Sequence, residues 1–182
     1  MRRIRNLILY PGLASVLLAV GTPAAAMAQS AAMPTAPDTC SGSVFSNTKL
    51  QNVASDNYLA ESTSDNSAVL YTHSNQAWDG YRDSAGHVII YRCGTNDVLT
   101  DGVNSHCRKG YGDCVYVEAY NDSQDQWWSR IAKGNIWDLQ TLDTKGKSHV
   151  IDDPLSSRSE GTHVVMEPYN SARTNEQFRV TS

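Results

Sequence analysis

The sequence predicts an all-β domain made of three pseudo-symmetric repeats. Three observations carry that expectation. Apolar and polar residues alternate over runs of about four to six residues, the pattern of half-buried strands, and no apolar stripe at helical spacing occurs outside the N-terminal segment. Clusters of Gly, Asn, Asp and Ser separate these runs, as turns separate short strands. One short pattern also recurs: Asn75-Gln76-Ala77-Trp78, Asp125-Gln126-Trp127-Trp128 and Asn175-Glu176-Gln177-Phe178. Gln76 and Gln126 are 50 residues apart, and so are Gln126 and Glu176. Equal spacing of three copies marks an internal repeat.

The elements follow in the same order in each copy. A short strand opens it: Tyr58-Leu59-Ala60-Glu61, then Val98-Leu99-Thr100-Asp101, then Val150-Ile151-Asp152-Asp153. A second strand precedes the motif: Val69-Leu70-Tyr71-Thr72-His73, Val117-Glu118-Ala119-Tyr120-Asn121, and Met166-Glu167-Pro168-Tyr169-Asn170. Behind the motif, Gly86 and Gly134 each sit in a turn that leads into β-branched or aromatic residues, which reads as a hairpin. The large aromatics Trp78, Trp128 and Phe178 are expected to meet near a pseudo-three-fold axis and bury apolar area. Gln76, Gln126 and Glu176 are expected to satisfy buried backbone groups beside them. These six residues form the structural core motif. A closed sheet would leave no exposed edge.

A chain of 182 residues suits one domain. A formal charge of −4 argues against a broad basic field for nucleic acid or anionic lipid. Arg2, Arg3 and Arg5, an apolar run from Leu7 to Val20 and the end Ala26-Met27-Ala28 have the order of a secretory signal peptide. Pro11 and Gly12 break the run, which falls short of the roughly 20 residues a membrane span needs. The expected division is therefore a signal peptide over 1–28, a Pro/Ala-rich linker over 29–39 and the domain over 40–182. Cleavage near Ala28 removes three Arg and no acid, taking the charge from −4 to −7. The destination is expected to be extracellular or periplasmic.

Four cysteines in an exported chain imply two disulfides. Cys107 and Cys114 bracket a loop with two glycines, so they are paired with each other and Cys40 with Cys93. Their spacing does not match zinc patterns, and no His pair stands at ligand spacing, so neither metal nor cofactor is expected.

Three Gln-x-Trp copies in a domain of this length resemble the ricin B-type β-trefoil lectins. The resemblance covers Cys40 to Ser182 and implies a β-trefoil fold and carbohydrate binding. In those lectins a pocket combines an Asp early in the repeat, a stacking aromatic, and a polar residue just before the Gln. A carboxylate accepts hydrogen bonds from neighbouring sugar hydroxyls, and an aromatic ring takes the apolar face of the sugar. The third copy matches best, with Asp152 and Asn175 at their positions. Glu167 stands where the aromatic is expected, and Tyr169, two residues on, is a candidate replacement on the same strand face. The second copy offers Asp101 and Tyr120, with Thr100 at the Asp position. The first has Tyr71 at the aromatic position but Ala60 for Asp, and only 17 residues from Leu59 to Gln76, against 27 from Leu99 to Gln126 and 25 from Ile151 to Glu176.

An enzyme is not expected. Gly-x-Ser-x-Gly, His-Glu-x-x-His and a phosphate loop are absent, and the repeats separate Glu118 from Glu167. The leading expectation is a secreted carbohydrate-binding module with a glycan or polysaccharide ligand and, where it has one, a separate protein partner. The alternative is a protein-binding trefoil that has lost sugar recognition, such as a toxin accessory subunit or a protease inhibitor. The departures at Ala60, Thr100 and Glu167 favour that alternative.

Overall fold

Short apolar runs, broken by turn residues, leave the backbone few options besides strands, and several strands are buried over three or four consecutive residues where the alternation expected from the sequence would expose every second one. The structure, a computed structural model, describes residues 40, 42–106, 113–142 and 148–182, without the side chains of residues 103–106 and 155. Thirteen strands follow in order: β1 (Phe45–Asn52), β2 (Tyr58–Glu61), β3 (Ala68–Tyr71), β4 (Trp78–Arg82), β5 (Val88–Arg92), β6 (Asp97–His106), β7 (Asp113–Ala119), β8 (Trp128–Lys133), β9 (Ile136–Thr141), β10 (His149–Asp152), β11 (Thr162–His163), β12 (Val165–Pro168) and β13 (Gln177–Thr181). Among the described residues the only helical pieces are the single turns Gln124–Gln126 and Pro154–Ser156.

Six strands close on themselves. β1 pairs with β4, β4 with β5, β5 with β8, β8 with β9, β9 with β13, and β13 with β1. Closure pairs the strand edges around the ring, as the sequence led us to expect. Three antiparallel hairpins, β2–β3, β6–β7 and β10–β12, stand off this ring. Each hairpin joins it through one register pair: Tyr58 with Gln51, Val98 with Tyr91, and Val150 with Gln140. The hairpins also meet one another, β12 pairing with β7, and Ser67 ahead of β3 bridging to Tyr116. Within the ring, the β4–β5 and β8–β9 turns need a left-handed residue, which Gly86 (φ 94°) and Gly134 (φ 68°) provide.

The core lies between ring and hairpins. Trp78, Trp128 and Phe178 are fully buried there with Leu50, Leu59, Leu99 and Ile151. Each indole keeps a partner for its one polar group. Trp78 Nε1 donates to the Leu59 carbonyl and Trp128 Nε1 to the Leu99 carbonyl, both at 3.0 Å. Phe178, in the third copy, has no donor to satisfy. A second cluster of Ile89, Tyr91, Val98 and Tyr120, with Tyr81 and Trp127 packed against it, lies outside that core.

A disulfide joins Cys40, ahead of β1, to Cys93, just after β5, with Cα atoms 5.0 Å apart. The expected Cys107–Cys114 pairing falls outside the described residues, because Cys107 does.

Candidate functional site

The third hairpin sets the geometry of the site. In the β10–β12 ladder Asp152 lies opposite Val165 and Val150 opposite Glu167. Opposed residues share a face, so Glu167 is the diagonal neighbour of Asp152 on that face. Asp152 is only 2% exposed, and it ends β10. The loop between β12 and β13 then brings Asn175 to it. Asn175 Nδ2 donates to Asp152 Oδ2 at 2.8 Å and to the Asp153 carbonyl at 3.2 Å. The Asn175 carbonyl accepts from Asn52 Nδ2 at 2.8 Å and from the Asp153 amide at 3.0 Å. Asn175 is therefore held from both ends.

Carboxylates crowd this corner. Glu176 is fully buried, and its Oε2 accepts the Asn170 amide at 2.7 Å. Its Oε1 has no hydrogen bond and lies 3.7 Å from Arg173 Nη1. Burial, then the charges of Glu176, Glu167 and Asp153, push the Asp152 carboxyl up to about 7, against a pull downward from Arg173. Burial likewise raises Glu176, with the Asn170 amide and Arg173 opposing it. Asp153 is raised by burial too, although Ser157 donates its amide to Asp153 Oδ1 at 3.1 Å. Asp138, from β9 of the ring, is 1% exposed and raised by burial, with Lys133 and a hydrogen bond from Tyr169 opposing.

Beside these acids opens a pocket of about 490 Å³ lined by Glu167, Pro168, Tyr169, Asn170, Ser171 and Arg173. Tyr169 lies one residue beyond β12, where its amide donates to the Ser148 carbonyl at 2.8 Å. That bond carries the β10–β12 pairing one residue past Pro168, and Glu167 and Tyr169 both line the pocket. Tyr169 reaches the pocket wall from the loop, half-buried, with its hydroxyl directed to Asp138. The structure thus brings together Asp152 and Asn175 and puts Tyr169 in the adjoining pocket wall.

The second hairpin is different. Asp101 lies opposite Val115 and is 2% exposed. Tyr120 is 9% exposed, packs on Tyr91 at 5.6 Å between ring centres, and donates its hydroxyl to Asp122 Oδ1 at 2.8 Å. The ring that the sequence offers for stacking is thus spent on a protein neighbour. Nearby, His87 stacks on Trp127 at 4.5 Å and bonds Asp83 at 2.7 Å.

The polar residue of the motif also differs between copies. Gln126 is fully buried, accepting the Asn121 amide at 2.8 Å and donating to the Ala119 carbonyl at 3.0 Å and Thr100 Oγ1 at 3.3 Å. Gln76 is only half-buried and accepts the Glu61 amide at 3.0 Å. The amide that Gln76 accepts thus belongs to the opening strand of its copy and not, as with Gln126 and Glu176, to the loop just ahead of the motif. The shorter first copy accounts for this.

Among the described residues the only group that brings three metal-ligand atoms within 4.8 Å is Cys40, Asp79 and Cys93. Its two sulfurs are bonded to each other, and Asp79 Oδ1 accepts the Asn47 amide at 2.8 Å.

Sequence reasoning missed Arg173 and Asp138. Asp138 had a signal, an acid amid apolar residues in Ile136-Trp137-Asp138-Leu139. Arg173 had none beyond its place in the loop ahead of Glu176.

No family model matches the chain, and no curated protein matches it. Solved structures do. The designed 3-fold symmetric protein ThreeFoil superposes with a TM-score of 0.62 at 23% identity, over 74% of this chain and 97% of that one. The earthworm R-type lectin C-half, solved in complex with GalNAc, gives 0.53 at 16%, over 74% and 97%. A proteinase inhibitor from Coprinopsis cinerea gives 0.57 at 13%, over 75% and 96%. In a mosquitocidal holotoxin and an exo-β-1,3-galactanase from Clostridium thermocellum the match covers only 17% and 30% of the longer chain. The chain has the fold of the ricin B-type trefoils that its repeats resemble.

Proposed function

We propose that this chain is a carbohydrate-binding module and that its third repeat holds the sugar. One observation carries the reading: the pocket beside the third hairpin combines a tyrosine wall with polar and charged groups at sugar scale. Tyr169 and Pro168 offer an apolar face for the C–H side of a pyranose. Asn170, Ser171, Glu167 and Arg173 offer donors and acceptors for hydroxyls. Asp152 and Asn175 lie behind this wall, bonded to each other, and brace the loop that carries it. The lectins of the same fold support the reading by analogy of architecture.

The module works by binding and not by catalysis. Its three copies are structurally equivalent repeats, a reading supported by the matching Trp78 and Trp128 bonds and by the matching attachment of the three hairpins. The chain is exported, with residues 1–28 as the signal and 29–39 as a linker. A disulfide between Cys40 and Cys93 suits an oxidising compartment.

The protein-binding reading keeps one support, the shared fold with a proteinase inhibitor. A glycan array on the purified chain separates the two. Hits that weaken in Tyr169→Ala support the sugar site. A blank array, with a captured protein partner, favours the alternative.

A further inference from the structure

We propose that the third-repeat pocket takes a sugar bearing a free amine, its ammonium lying beside Glu167 and toward the Glu176–Asp152 corner, in preference to a neutral sugar. The inference rests on the carbohydrate reading above. Its starting point is Glu167. This half-buried carboxylate lines the pocket at the place where the lectins that this chain resembles carry a stacking aromatic. Among the described residues it has neither a hydrogen bond nor an ion pair. An aromatic there offers a neutral sugar an apolar surface, whereas a carboxylate offers a charge.

Further acids surround it. Asp152 stands on the same hairpin face, one pair along. Glu176 Oε1, fully buried, lacks a hydrogen bond and borders the pocket through Arg173. Asp153 Oδ2 and Asp138 Oδ1 are buried without hydrogen bonds as well. Arg173 faces Asp152 and Glu176, and Lys133 faces Asp138, so two cations stand against five acids. Arg173 is itself half in solvent. Carboxylates withdrawn from water need a positive or strongly donating partner. A hydroxyl supplies a proton to share but no charge. An ammonium supplies three donors and a full charge, and its bonds to carboxylates are about twice as strong as neutral ones. Its arrival favours the ionised form of Asp152, so binding releases a proton to solvent.

Calorimetry on the full chain tests this with two probes, the β-1,4-linked trimer of glucosamine and its fully N-acetylated counterpart, at about pH 6, where a free amine is protonated. The glucosamine trimer is expected to bind at least about tenfold tighter, with the difference shrinking as salt is added. Glu167→Gln, checked for folding by circular dichroism, is expected to erase the preference, weakening the glucosamine trimer by at least about tenfold more than the N-acetylated one. Equal affinities, a preference for the acetylated trimer, or a preference that survives Glu167→Gln overturns the inference. If neither trimer binds while the array yields a neutral glycan that needs Tyr169, the inference falls and the carbohydrate reading stands. A blank array removes both.

Discussion

Asn175 Nδ2 lies 2.8 Å from Asp152 Oδ2, and this bond ties the end of β10 to the loop ahead of β13. Twenty-three residues of chain separate the two partners. The bond closes the corner where the pocket wall, the buried acids and the last copy of the repeated motif meet. Because Asn175 also holds Asp153 and Asn52 through its backbone carbonyl, the loop between them is fixed from several directions.

Asp152 should make stability depend on pH. Its carboxyl is near 3.8 when unperturbed and about 7 in the fold, so the folded state binds the proton more tightly. Its contribution is fully present below about pH 4, and it is lost as pH rises through about 7. Glu176, Asp138 and Asp153 are shifted in the same direction. Asp152→Asn removes one of these titrating carboxyls and keeps an oxygen that can accept from Asn175. Melting temperatures measured between about pH 4 and 8 are expected to fall less steeply in the variant. Parallel curves would show that Asp152 does not titrate in this range.

Gln126 and Gln76 should respond differently to replacement by Leu. Gln126→Leu strands the Asn121 amide and the Ala119 carbonyl, and is expected to cost about 2–3 kcal/mol. Gln76→Leu strands only the Glu61 amide at a half-buried place, and is expected to cost about 1 kcal/mol or less. Denaturant titration of both variants measures the difference. Equal losses would mean that the two copies are wired alike.

The disulfide should matter for stability and not for recognition. Cys40 and Cys93 enclose a separation of 53 residues, for which chain-entropy arguments give about 4 kcal/mol. The double Cys→Ser variant is expected to lose stability on that scale while still binding any array hit below its melting point. Lost binding in a folded variant would tie the Cys40 end to the site.

Tyr169 separates ring from hydroxyl. Tyr169→Ala removes the pocket wall and is expected to weaken glycan binding by about tenfold or more, with little change in folding. Tyr169→Phe keeps the ring and loses the bond to Asp138. If stacking provides the affinity, Phe binds nearly as Tyr does, and titration against the best array hit reads this directly. A Phe variant as weak as Ala would put the hydroxyl, or the Asp138 contact, at the centre of binding.

The all-β class, the three aromatic positions and the turns at Gly86 and Gly134 could all be read from the chain, because each is a local preference or a spacing. A period-2 apolar run makes a strand wherever it is placed, and a left-handed turn selects Gly from the backbone alone. Trp78, Trp128 and Phe178 stood out for a related reason, since large aromatics at equal intervals need a common place to be buried. The state of each polar residue was decided by the packing. Asp152 and Asp101 read as sugar-binding carboxylates on the opening strands of their copies, yet both are buried, because the hairpins pack against the ring and one another. Tyr120 and Tyr169 occupy matching places in their copies, but Tyr91 lies under the first ring and Asp138 reaches the second. Arg173 acquired a role only when the loop turned its side chain toward Glu176. Burial and electrostatic environment depend on residues far away in the chain, and no local pattern contains them.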